Sequence, residues 1–136
     1  MRPRPSAAEL LEIARETLRG ELLAALPESR RYEALMVANA IAIAGRVLER
    51  GDAPERAELA ALARLMDGKD SALPADPSAA RNRLGDLYDR LGDELRAGKI
   101  VPGTDRHRVV LAHLKEATLE RLRESNPKAL PPSTSS

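Results

Sequence analysis

Ala34 to Gly45 is a run of twelve residues between Glu33 and Arg46 that carries no charge and is interrupted only by Asn39. At about 1.5 Å of rise per residue it is too short to cross a bilayer, which takes about 20 apolar residues. It therefore predicts a buried helix. A helix apolar on nearly every side has to be surrounded by others, so the expected architecture is a set of helices packed around this one.

Composition agrees with helices. The chain of 136 residues suits one domain and is 43% hydrophobic and 32% charged, yet it contains no Phe and no Trp. Tyr32 and Tyr88 are its aromatics. Burial must come from Leu, Ala, Ile and Val, and strand formers are scarce, which points to an all-α domain. A net charge of +1 provides no field to steer a polyanion, so nucleic acid is not an expected partner. Without Cys, thiolate catalysis, thiolate metal sites and disulfides are excluded. The start, Met1 to Ser6, is basic but has no apolar h-region before the charged helix, so no export signal is visible and the cytoplasm is the expected compartment, with no membrane expected as a partner.

Five helices can be laid along the chain. Ser6-Ala7-Ala8-Glu9 is a capping box, and Leu10, Leu11, Ala14, Leu18 and Leu22 follow at helical spacing to about Leu26, before Pro27. The second helix spans about Ser29 to Arg50 and is stopped by Gly51. Asp52-Ala53-Pro54-Glu55 starts a third, with Leu59, Leu62, Leu65 and Met66 inward and Gly68 at its end. After a loop to Asp76, Asp76-Pro77 caps a fourth, whose stripe is Leu84, Leu87, Tyr88, Leu91 and Leu95, closed by Gly98. Thr104 or Asp105 caps a fifth, with Leu111, Leu114, Leu119 and Leu122 inward and Ser125-Asn126-Pro127 as its stop. Short connections predict a mostly antiparallel bundle of about five helices with helix two central, forming one domain over residues 1–130, and a flexible tail over residues 131–136.

No motif for phosphate-loop, zinc or di-iron chemistry is present, and His107 and His113, six residues apart, cannot share an ion from one helix face. No cofactor or metal is expected. Asp86, Asp89 and Asp93 recur along one side of helix four beside Arg83, Arg90 and Arg96, the pattern of a solvated charge ladder. Asn39 is more pointed. A carboxamide on the most apolar helix should be buried and needs a partner, since an unsatisfied amide costs roughly 1 to 3 kcal/mol. Arg46, seven residues later on nearly the same face, completes an internal polar stripe that is either structural or ligand-binding.

Several segments resemble a family of small bacterial proteins catalogued as domain of unknown function 6285. They are Arg4-Pro5-Ser6 with Glu9-Leu10-Leu11, Ala38 to Ile43 with Arg46, Leu95-Arg96-Ala97-Gly98, and His113-Leu114 through Ser125-Asn126-Pro127. The resemblance implies company rather than activity, because such proteins tend to be encoded beside aminoglycoside-phosphotransferase-like kinases and acyl-CoA dehydrogenases. The family pattern has a glutamate after the arginine of helix two, where this chain has Val47.

The leading expectation is a non-catalytic helical accessory protein that binds another protein, a phosphotransferase-like kinase or an acyl-CoA dehydrogenase. Tyr88, Leu91 and Arg96 with Asn126 are the candidate partner surface, aromatic and arginine anchors being what interfaces use. The alternative is a small enzyme or carrier holding an anionic or acyl metabolite between helices two, four and five, through Asn39, Arg46 and Arg96. A homodimer burying exposed apolar stripes is a third.

Overall fold

In the computed structural model, which describes residues 4–132, the capping box at the first helix is complete. The Glu9 amide donates to Ser6 Oγ at 3.2 Å, and the Ser6 amide donates to the Glu9 carboxylate at 2.6 Å. Helix α1 (Ala7–Thr17) continues through a π-helical turn, Leu18–Leu22, and a last turn, Leu23–Ala25. It is followed by α2 (Glu28–Arg50), α3 (Ala53–Asp67), α4 (Pro77–Arg96) and α5 (Asp105–Ser125), and Pro127–Ala129 forms a 3-10 turn. The protein is all-α, with no strand among the described residues. No helix there is long and apolar enough to cross a membrane.

The caps explain the boundaries. Asp76 accepts from the Ala79 amide at 2.8 Å. Between the two candidates for α5, Thr104 is the cap, its hydroxyl accepting from the His107 amide at 3.3 Å. Asp52 sits at the N-cap of α3 without capping it; its carboxylate takes the Arg56 guanidinium at 2.7 Å instead. Gly98 ends α4 with φ of 70°, which allows the Lys99 amide to reach the Glu94 carbonyl and its own amide to reach that of Leu95.

The described residues group into two compact units. One holds the chain up to Gly51 together with Glu124–Ala129; the other holds Asp52–Arg123 with the residues from Leu130 onward. The second unit contains the core. Leu59, Leu62 and Ala63 of α3 face Ala80, Leu84, Leu87 and Leu91 of α4, with Ile100 of the connection after α4 and Val110 of α5 completing the cluster. Leu59 and Leu62 are fully buried, and each such leucine contributes about 1.5–3 kcal/mol by leaving water. The loop between α3 and α4 is tied down by arginines: Arg56 donates to the Pro74 and Ala75 carbonyls, and Arg83 to the Ala72 carbonyl and the Ser71 hydroxyl. Two expectations shift here. Leu95, in the last turn of α4, is exposed, and so is Leu111, the latter because the inward face of α5 is Val110, Leu114 and Ala117.

The first unit overturns the expectation that helix two is the buried axis. α2 buries only Ala34 and Ala38, while Tyr32, Leu35, Met36, Val37, Val47 and Leu48 are all exposed. Within this unit α2 packs against α1, and one neighbouring helix covers only a stripe of its circumference. The stripe it covers is the alanine row, whose small side chains let the two backbones approach, so the larger apolar groups point outward. Of the tail expected to be flexible, residues 133–136 lie outside the described residues, as do the first three of the basic start.

Candidate functional site

The sequence places Asn39, Ala42 and Arg46 on one side of α2, across two helical turns or about 10 Å. Beside them the first unit has an open cleft of about 320 Å³, at the lower end of the size range of small-molecule sites. α1 and its π-helical turn bring Arg15 and Arg19 to it, and the segment after α5 brings Ser125, Asn126, Pro127 and Lys128. Four cations line this cleft and no carboxylate does.

Arg46 is fixed from behind. Its Nε donates to the Glu124 carbonyl at 2.6 Å, near the C-terminal end of α5, and its two terminal nitrogens have no partner among the described residues. Arg50 takes the neighbouring Glu124 carboxylate at 3.4 Å. Arg15 is paired with Glu12 of its own helix at 3.2 Å. The side chains of Arg19, Asn39, Asn126 and Lys128 make no hydrogen bond or ion pair among the described residues. The helix end offers about half a negative charge, which cannot balance this many cations even after Glu12 is counted. The cleft is therefore locally cationic, and its guanidinium forks and two carboxamides are groups suited to an anion's oxygens. An adjoining groove of about 310 Å³ shares Arg15, Ala42 and Arg46 and adds Leu11, Ile41, Glu12 and Glu49. The cationic cleft therefore continues into a mixed, partly apolar surface.

Asn39 and Arg46 thus stand together as expected, but Asn39 is exposed rather than buried. The cause is the shallow packing of α2: Ala38 occupies the inward position, and the next residue turns onto the cleft wall. Asn126 joins these two at the cleft of the first unit, and Tyr88, Leu91 and Arg96 belong to the other unit. Leu91 cannot serve a partner surface because it lies in the core at 2% exposure, in line with Leu84 and Leu87. Arg96 is exposed and paired with Asp93 at 2.6 Å. Arg83 and Arg90 leave the aspartate ladder, Arg90 for Asp67 at 3.2 Å. Tyr88 is half-buried between α3 and α5, with Glu58, His113 and Arg121 around it. The cleft members that the sequence did not single out are Arg15, Arg19 and Lys128. Their four-residue spacing on α1 marks Arg15 and Arg19 as sharing a face, but nothing local sets that face beside residues more than a hundred positions away.

The family model described as Domain of unknown function (DUF6285) matches residues 24–129. The chain belongs to this family. No curated protein and no solved structure matches it. Within the DUF6285 span lie Asn39, Arg46, Asn126 and Lys128, together with the segments about Ala38 to Ile43, Leu95 to Gly98 and His113 to Pro127; Arg15 and Arg19 precede it.

Proposed function

We propose that this DUF6285 protein is a non-catalytic helical binding protein whose ligand presents a phosphate or carboxylate group to the cleft of Arg15, Arg19, Arg46 and Lys128. The observation that carries this reading is the convergence of four cations, Arg15 alone of them paired with a carboxylate, and two carboxamides on one cavity lined by no carboxylate. The cleft lining holds no His, Asp or Glu to move a proton, which supports binding over turnover. The setting we propose, on the family resemblance, is the bacterial cytoplasm beside a phosphotransferase-like kinase or an acyl-CoA dehydrogenase. Both enzyme classes handle phosphorylated molecules, and an accessory protein that holds one fits either.

Titration calorimetry with inorganic phosphate, acetyl phosphate and acetate tests the proposal. Saturable binding is expected, weakened roughly tenfold in Arg46→Gln and in Arg19→Gln, as for loss of one charge-assisted hydrogen bond. Absence of binding by all three anions, or an affinity in both variants equal to that of the parent, overturns it. Catalytic loss of acetyl phosphate that depends on Arg46 would replace the binding role with an enzymatic one.

A further inference from the structure

Glu58 of α3, Tyr88 of α4 and His113 of α5 meet in one hydrogen-bonded row. Glu58 is paired with Arg121 at 3.1 Å, and the guanidinium of Arg121 stands 5.9 Å from the centre of the Tyr88 ring. A carboxylate only accepts, so the single hydroxyl proton of Tyr88 goes to Glu58. The phenol oxygen is then left with lone pairs towards His113 Nε2, 3.0 Å away. Nε2 must supply the hydrogen, and in a neutral imidazole this leaves Nδ1 as a bare acceptor.

Nδ1 has no hydrogen-bond partner among the described residues. Burial holds the His113 pKa below its ordinary value, Glu58 opposing and the charge of Arg121 assisting, so the ring is neutral near pH 7. His113 also lines an open cleft of about 500 Å³ walled by Ala61, Leu65 and Val109. Its two charged members have partners and stand at its exposed rim, Arg64 with Asp70 at 2.7 Å and Glu116 with Arg123 at 3.6 Å, a guanidinium that Glu120 shares. Apart from these the cleft offers apolar surface and the His113 imidazole.

We infer that this cleft is a second binding site, for an uncharged and largely apolar molecule carrying one hydroxyl, an alcohol or a phenol, whose O–H donates to His113 Nδ1. A carboxylate has no proton to donate, and an ammonium would exchange water for apolar walls without a free counter-charge. Tyr88 and Glu58 are positioning residues, which fix the tautomer that leaves Nδ1 open. The site is in a different unit from the cationic cleft and does not depend on it.

The test uses the full chain labelled with ¹⁵N and two probes of nearly equal shape, 4-methylphenol and 4-methylanisole, the second lacking the hydroxyl proton. Imidazole spectra, assigned with a His107→Gln variant, read the tautomer of His113 without any ligand, and the Nε2–H form is expected. Adding 4-methylphenol should shift His113 Nδ1 and the Leu65 and Val109 methyls saturably, with 4-methylanisole roughly tenfold weaker for want of the hydrogen bond. Tyr88→Phe should release the tautomer and weaken 4-methylphenol severalfold. A dominant Nδ1–H form in the unliganded protein, equal binding of the two probes, or shifts that bypass His113 would each overturn the inference.

Discussion

Arg46 is held in place before any ligand arrives, since its Nε is committed to the Glu124 carbonyl and only its outer nitrogens are available. Such pre-organisation lowers the entropy cost of gripping an anion. Asn39 beside it is exposed and its side chain makes no hydrogen bond among the described residues, so changing it should affect the site far more than the fold. Asn39→Asp is expected to leave the denaturant midpoint within about 0.5 kcal/mol of the parent, while placing a negative charge in the cleft and lowering phosphate affinity severalfold. Asn39→Leu should be similarly neutral for stability but weaken phosphate less. A loss of several kcal/mol in either variant, read by urea unfolding, would show that the carboxamide is structural after all. The Asn39–Arg46 pair was legible because both lie on one helix at a fixed spacing. Arg19 and Lys128 were not, because their place in the cleft depends on contacts remote in sequence.

At the level of elements, stability resides in α3, α4 and α5 rather than in the most apolar segment of the chain. Leu62→Ala, at a fully buried position, is expected to cost about 2–5 kcal/mol. Leu35→Ala on α2 removes a side chain that is 40% exposed and should cost under about 1 kcal/mol. Comparable losses in the two variants would mean that α2 buries its leucine. Amide exchange offers a second measure: the slowest amides should fall in Leu59–Ala63 and Leu84–Leu91, and those about Leu35 to Val37 should exchange sooner. The five helices and their ends were readable from caps, prolines and glycines, each acting within a few residues. The π-helical turn at Leu18–Leu22 had no such signal, and it falls where Arg19 enters the cleft.

For the molecule as a whole, His113 ties stability to pH. Burial holds its folded-state pKa below the ordinary 6.5 of the unfolded chain, with Glu58 acting against the shift and Arg121 with it, while Tyr88 supplies the hydrogen-bond partner. In the interval between the two values the unfolded chain binds a proton that the folded one refuses. The His113 contribution is therefore complete above pH 6.5 and declines as pH falls from there towards the folded-state value. Thermal unfolding followed across this window should show a falling midpoint, and His113→Gln should flatten that slope. An unchanged slope in the variant would assign the effect to other groups. A net charge of +1 gives no strong long-range field, so the proposed anion binding would rest on the local gathering of arginines and should weaken as salt is raised.

Helicity, the caps and the near-uncharged run of Ala34 to Gly45 were all determined by the sequence alone, because they depend on propensity and hydrogen bonds between residues a few positions apart. The all-α class followed from them; membership of DUF6285 came from a resemblance in short segments, of which those at Ala38 to Ile43, Leu95 to Gly98 and His113 to Pro127 fall inside the matched residues 24–129 and that at Arg4 to Leu11 falls before them. Which helix occupies the core was decided only by the tertiary structure. An apolar helix is compatible with full enclosure or with a narrow alanine contact, and only its neighbours choose between the two. The same holds for Asn39, which local pattern places on an apolar helix and packing turns towards an open cleft. It holds also for Leu91, drawn into the core by α3, and for the Glu58–Tyr88–His113 row, whose members sit on three helices and meet only after those helices have packed.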